Sequence, residues 1–173
     1  MVAAAVLILA AALDATAERQ RGDSVQSLLR EESPDVFLAK ATLQQYLSRI
    51  VRRDWDGVKR LTHPKARLWP WSQRNDELKT FEFKEARSAG PGTVVIELAE
   101  DVYHRDAQEM STGDPAVYLL FKSRGAWLVG DRKAGAHLAN LSNDSIRSNY
   151  PGWVDHQALA QARRSDRLTG KHR

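Results

Sequence analysis

Asp131 lies near the end of the run AVYLLFKSRGAWLVGDRK, two residues after Val129 and four after Trp127. On a strand, residues two apart share a face, so these three side chains are expected together. A carboxyl group among apolar neighbours resists ionisation, and its raised pKa would suit it to general acid or base work. Tyr103 and Tyr46 are the phenol donors that would stand opposite it. A plainer reading places Asp131 at the fraying end of a last strand, paired in water with Arg132 or Lys133, and the sequence favours that one.

A second cluster of reactive types is VRRDWDGVKRLTHPKA, residues 51–66. Each polar residue in it has a structural task. Asp54 is placed to cap a short helix whose buried side holds Trp55, Val58 and Leu61. Asp56 falls in the first turn, where the helix dipole favours a carboxylate, and His63 near the end, where a cation is favoured; Pro64 stops the helix. This stretch is a corner between helices rather than an acid/base site.

Other chemistries find less. The chain has no cysteine, so disulfides, thiolate catalysis and cysteine-ligated zinc are excluded. The five histidines are scattered. Only His104 and Asp106 share a strand face, and a catalytic zinc needs three protein ligands, so no metal is expected. No nucleophile elbow, phosphate-binding glycine loop or dinucleotide fingerprint is present, and no cofactor is implied. Trp69 and Trp71 flank Pro70 in LWPWS. Together with Trp127 they are the aromatic candidates for holding a ligand or partner, or for closing a pocket mouth.

The elements that must position these residues follow from periodicity. Ser33, Pro34 and Asp35 are a helix start. After them Val36, Lys40, Leu43, Leu47 and Ile50, joined by Phe37, Tyr46 and Val51, recur at helical spacing as a core-facing stripe. Beyond Asn75 the period becomes two. Phe81 and Phe83 alternate with Glu82 and Lys84, and Val94, Ile96, Leu98 and Val102 share one face. STGDP, residues 111–115, reads as a turn, and Ser123-Arg124-Gly125 as a hairpin connection. Residues after Lys133 read as loop, with a final helix in GWVDHQALAQARRSDRL carrying Trp153, Leu159 and Ala160. The fold class expected is α+β, with N-terminal helices packed on a curved antiparallel sheet.

At the front, MVAAAVLILAAAL is continuously apolar and shorter than the ~18–20 residues of a spanning helix. Ala15-Thr16-Ala17 supplies a small-x-small cleavage pattern. Residues 1–17 are therefore expected to be a signal peptide or membrane anchor and 18–33 a linker. That implies an exported or outward-facing anchored domain, with a cytoplasmic chain as the alternative. The 173 residues carry a formal charge of +4, and the last twelve hold five Lys/Arg against one Asp, which accounts for all of it. A basic binding face on the domain body is not indicated, and terminal charge runs are usually solvated, so nucleic acid is not the expected partner.

The capped helix ending in VRRDWDGVKRLTHPKA, with Asp54, Leu61 and Ala66 at the spacing of a known corner, is followed by strands. The hairpin YLLFKSRGAWLVGDRK then comes last. In that order these motifs resemble the nuclear transport factor 2-like superfamily, the cystatin-like α+β fold that includes ketosteroid isomerase and polyketide cyclase relatives. The resemblance covers about residues 34–134 and leaves 135–173 as an extension. It implies a sheet wrapped round the long helix to leave a conical pocket, and it fixes no reaction. Isomerase chemistry in that group uses a carboxylate base with a tyrosine and a protonated acid. That set does not map onto this chain, and Asp131 with Tyr103 or Tyr46 is the nearest substitute. The function expected first is a non-catalytic exported or tethered domain acting through protein contacts, including a homodimer through the sheet. The alternative is a small-molecule binder, taking an apolar ligand, or an isomerase-like enzyme.

Overall fold

Pro34 fixes its own φ and has no N–H to leave unsatisfied, so it opens a helix at little cost. In the computed structural model, which describes residues 32–66, 71, 74–154 and 160, that helix (α1) runs Pro34–Val51. The chain divides into two units, Met1–Pro34 and Asp35–Arg173, and apart from Pro34 every named element lies in the second. The expected signal or anchor, most of the linker, Trp69 and all but Ala160 of the C-terminal basic helix beyond Val154 lie outside the described residues.

A short helix α2, Trp55–Arg60, follows α1; Asp54 caps it, its carboxylate accepting from Gly57 N at 2.9 Å. Four strands then form one antiparallel sheet in sequence order: β1 Asp76–Gly90, β2 Thr93–His104, β3 Glu109–Ser123 and β4 Ala126–Ala134. Pairing slips by a residue at three places between β1 and β2, once between β2 and β3, and once between β3 and β4. Each slip bends its strand and increases the twist. The α+β class is as expected.

The inner sheet face receives α1. Leu43, Tyr46, Leu47 and Ile50 pack against Ile96, Leu98, Leu120 and Val129 in one apolar cluster. Two members of the expected stripe depart from it: Phe37 is 61% and Val51 42% exposed, because the contact follows Val36, Ala39 and Leu43 and leaves both on its flank. Trp55, also expected inside, is 37% exposed.

The turn expected at 111–115 lies instead at Arg105–Gln108, and STGDP belongs to β3. Its Gly113, at φ +72°, takes up the register slip opposite Glu100 and Val102. Glycine and proline here mark a bulge rather than a reversal. The expected hairpin forms, but Ser123 belongs to β3 and pairs with Ala126, so the connection is the two residues Arg124-Gly125, both with positive φ, as a two-residue turn requires.

The segment after Lys133, expected to be loop, holds a 3-10 turn Leu138–Asn140 and a helix α3, Asn143–Asn149, capped by Ser142. It crosses the outer sheet face as a strap. Leu138, Ile146 and Trp153 pack there on Val95, Val117, Leu119 and Phe121. Glu97 anchors it by accepting from Leu138 N at 2.6 Å and His137 Nδ1 at 2.9 Å. Arg87 adds bonds to Asn143 and the Leu141 carbonyl.

Candidate functional site

Even-numbered residues of β2 point inward, which places Glu100 in the row of Val94, Ile96, Leu98 and Val102. It is 0% exposed. Tyr118 on β3 faces the same way, and its cross-strand partner on β4 is Arg132. Tyr118 donates to Glu100 Oε1 at 2.6 Å, and Arg132 donates from Nε at 3.3 Å to the same oxygen and from Nη2 to Oε2. Both carboxylate oxygens are thereby satisfied. Trp71 lies between two guanidinium groups, 5.1 Å from Arg132 and 4.7 Å from Arg74, and Tyr46 meets the Tyr118 ring edge-on at 6.4 Å.

These surroundings set the protonation states. Burial, followed by the adjacent Glu100 charge, pushes the Tyr118 phenol well above its ordinary range. Tyr46 is pushed up to about 12, chiefly by burial against the opposing pull of Arg74 and Arg132. Burial alone would lower Arg132, but its hydrogen bonds to Glu100 outweigh this and hold it above the usual arginine range. Arg74 is lowered by burial and then by the nearby charge of Arg132. The cluster is a plug in which Glu100 and Arg132 balance each other's charge, with the carboxylate bound on both sides and the phenols held protonated.

The residues singled out from sequence do not converge on it. Asp131 points to the outer face, away from Trp127 and Val129. The reason is the register slip between Leu119 and Leu120, where Gly130 is the extra residue and parity reverses. A side chain at Gly130 would sit 2.5 Å from the Phe121 ring, so only glycine fits. Asp131 accepts from Tyr150 Oη and lies 3.5 Å from Lys133 Nζ, close to the plainer strand-end reading. Tyr103 is paired with Glu77 on the face opposite Tyr46, with Lys79 Nζ 5.4 Å from its ring. Trp71 and Trp127 are both buried, so neither presents a surface to a partner. Lys122 Nζ lies 5.7 Å from the Trp127 ring and reaches Asp35 at 3.0 Å.

Sequence reasoning passed over Glu100, Tyr118 and Arg132, although an acidic residue in the apolar row 94–102 was a visible signal. It also missed a chain at the far end of the sheet. Asp76 Oδ1 lies 2.8 Å from His104 Nδ1, and His104 Nε2 lies 3.0 Å from Ser111 Oγ. The order resembles a hydrolase triad, yet Ser111 donates to Asp114 Oδ2 at 2.6 Å. Its proton is directed away from the imidazole, so the hydroxyl is not activated as a nucleophile. Among the described residues no three His, Asp or Glu side chains group as a metal site would need.

Beyond the plug, a cleft of about 330 Å³ opens between the end of α1 and the start of β1. At its rim Glu77 accepts from Arg53 and Lys79, each at 2.5 Å, and from Arg105 Nε at 2.7 Å. The Lys79 and Arg105 bonds pull its carboxyl down to about 2. Arg53 adopts φ +59° just past α1, a conformation uncommon for a bulky residue.

On the other side of the sheet, His63 is buried rather than exposed at a helix end. It follows α2 in a stretch paired to β4, its N–H donating to Val129 O at 2.8 Å. Its Nε2 donates to Trp153 O at 3.0 Å and its Nδ1 accepts from Lys65 N at 3.1 Å, which fixes the tautomer. The ring stacks on Trp153, centroids 4.9 Å apart. Burial holds the imidazole below its ordinary pKa.

No family model matches the chain, and no curated protein matches it. Among solved structures it is similar to a ketosteroid isomerase-like protein from Erwinia carotovora atroseptica SCRI1043, at 14% identity and a TM-score of 0.48, over 58% of this chain and 95% of that one. A protein of unknown function with a cystatin-like fold from Nostoc punctiforme PCC 73102 gives 10% identity and 0.42, over 57% and 87%. The intermembrane space region of chloroplast protein ARC6 gives 11% and 0.40, over 61% and 100%. No activity, partner or compartment passes from any of them to this chain. No helix among the described residues is long and apolar enough to cross a membrane.

Proposed function

We propose that this is a non-catalytic domain that works through protein contacts, exported or tethered outward by its apolar N-terminal segment. The observation that carries the non-catalytic part is Glu100: the one carboxylate in the inner apolar row is fully buried and bound by Tyr118 and Arg132. A general base needs a lone pair within reach of a substrate proton, and this one is engaged on both oxygens. A small-molecule site of that kind would need Asp131 beside Tyr103 or Tyr46, but Asp131 lies on the outer face, away from Tyr46, and it pairs with Leu119 whereas Tyr103 pairs with Met110, nine residues along β3. The strap covers the middle of the outer sheet face, which favours a partner surface elsewhere than a sheet-to-sheet homodimer.

The test is a fluorescence titration of the full chain with apolar dyes and steroid-sized ligands. No saturable one-to-one uptake is expected. Micromolar binding that Arg132→Met alters would overturn the non-catalytic reading, because it would place a ligand at the plug. Mass spectrometry of the native protein checks export: a chain retaining Met1 in the soluble cytosolic fraction would remove that part.

A further inference from the structure

We infer that the cleft at the end of α1 docks a short acidic segment of a partner protein, one carrying an aromatic or apolar residue between carboxylates. This rests on the protein-contact reading above and names its surface. Arg53, Arg74, Lys79 and Arg105 line the cleft against only Asp76 and Glu77, leaving an excess of two positive charges. Without the basic terminal run the sequence is close to neutral, so this local excess is a departure from the body of the domain.

The rim donors suit carboxylates. Each guanidinium offers five N–H groups in a planar fork, and Glu77 engages only part of what Arg53 and Arg105 supply. Both arginine side chains are half exposed or more. A second carboxylate would add to this network without displacing Glu77, since three cations already surround that single anion.

The apolar part of the cleft is the second observation. Val51 and Trp55 belong by spacing to core-facing stripes, yet they stand 42% and 37% exposed, and both line this cleft. Core-type residues left in water beside a charged rim have the composition of a protein-binding patch. Trp55 supplies an aromatic surface for an anchor residue, and tryptophan and arginine are the side chains that carry most interface energy. Nucleic acid fits less well. A strand of nucleotides follows an extended basic groove, whereas this cleft is compact and has the Glu77 carboxylate on its rim.

Fluorescence anisotropy of the full chain tests this with three probes: a dye-labelled peptide of alternating glutamate and phenylalanine, its lysine–phenylalanine counterpart, and a short oligothymidylate. The acidic peptide should bind saturably and weaken as salt rises. Arg53→Glu with Arg105→Glu should weaken it at least about tenfold, the scale of one lost desolvated ion pair. Trp55→Ala should do the same while far-ultraviolet circular dichroism stays unchanged. Arg124→Glu, in the β3–β4 turn, should leave the affinity within about twofold, as expected for a charge beyond screening range. Equal binding of the lysine peptide, tighter binding of oligothymidylate, or indifference to the charge reversals would overturn the assignment. So would the absence of acidic-peptide binding. If that absence comes with no uptake of apolar ligands, the cleft assignment falls and the protein-contact reading stands; a ligand at the plug brings down the latter.

Discussion

Replacing Arg132 with methionine is the sharpest perturbation of the inner plug. The change removes a guanidinium whose side chain is 9% exposed and leaves the fully buried Glu100 with Tyr118 as its remaining donor. Breaking one side of a buried pair costs about 3–5 kcal/mol, because the remaining charge has neither water nor a counterion. With a urea slope of about 1.5–2 kcal/mol/M, the unfolding midpoint should fall by roughly 2 M. Glu100→Leu alone should be of similar cost, since it strands the guanidinium. The double variant Glu100→Leu/Arg132→Met removes both charges and refills the space, and it should recover most of the loss, ending within about 1–2 kcal/mol of the parent. Urea unfolding followed by tryptophan emission, with Trp71 beside the site, measures all three variants. Two outcomes refute the reasoning: a loss under about 1 kcal/mol for Arg132→Met, or single losses that simply add in the double variant. Either would mean that Glu100 is solvated and available, and the argument against a catalytic carboxylate would fail with it.

Tyr118→Phe should cost about 1–3 kcal/mol, the scale for depriving a buried acceptor of one donor, read from the same unfolding curves; a neutral effect would show that Arg132 alone satisfies Glu100. Gly130→Ala places a methyl group 2.5 Å from the Phe121 ring and 2.8 Å from Trp153, and should destabilise by about 1–3 kcal/mol. Limited proteolysis should then cut the strap sooner; unchanged cleavage would count against the bulge as the reason for glycine. His63 is held below its ordinary pKa by burial, so the unfolded chain takes up the proton first. Its contribution to stability is complete above the unfolded value of about 6.5 and is lost as pH falls below that toward the lower folded value. His63→Phe keeps the stack on Trp153 and should show a flatter fall in urea midpoint between pH 8 and pH 5; parallel curves would refute the assignment.

Legibility in the sequence followed the strength of local signals. Pro34 and the apolar stripe foretold α1 because a helix must bury one face, and the Arg124-Gly125 turn foretold the β3–β4 hairpin. Asp54 was legible as a cap, since its carboxylate has a near partner in Gly57 N. Phe37, Val51 and Trp55 were misplaced because helical spacing gives a stripe but not its edges, which the sheet sets from outside the helix. Asp131 was misplaced because parity counting assumes an unbroken ladder, and Gly130 breaks it. The strap was invisible for another reason: Leu138, Ile146 and Trp153 are too far apart to show a period, and they meet only on a surface the strands have already built. Glu100 was legible as a charge in an apolar row, but its partners lie eighteen and thirty-two residues away on other strands.

The extra residue in β4 also guards the alignment of the last ribbon. Shape already resists a slip here, since a side chain in place of Gly130 would sit 2.5 Å from the Phe121 ring. Charge discriminates well. If β4 paired without its kink, Asp131 would turn inward to meet Glu100, bringing two anions together in a dry interior, and Arg132 would be carried out among Phe121 and Trp153. The misaligned sheet would thus carry an electrostatic penalty that the aligned one avoids, and the alternation of Asp131 and Arg132 serves as a proofreading mark for the strand.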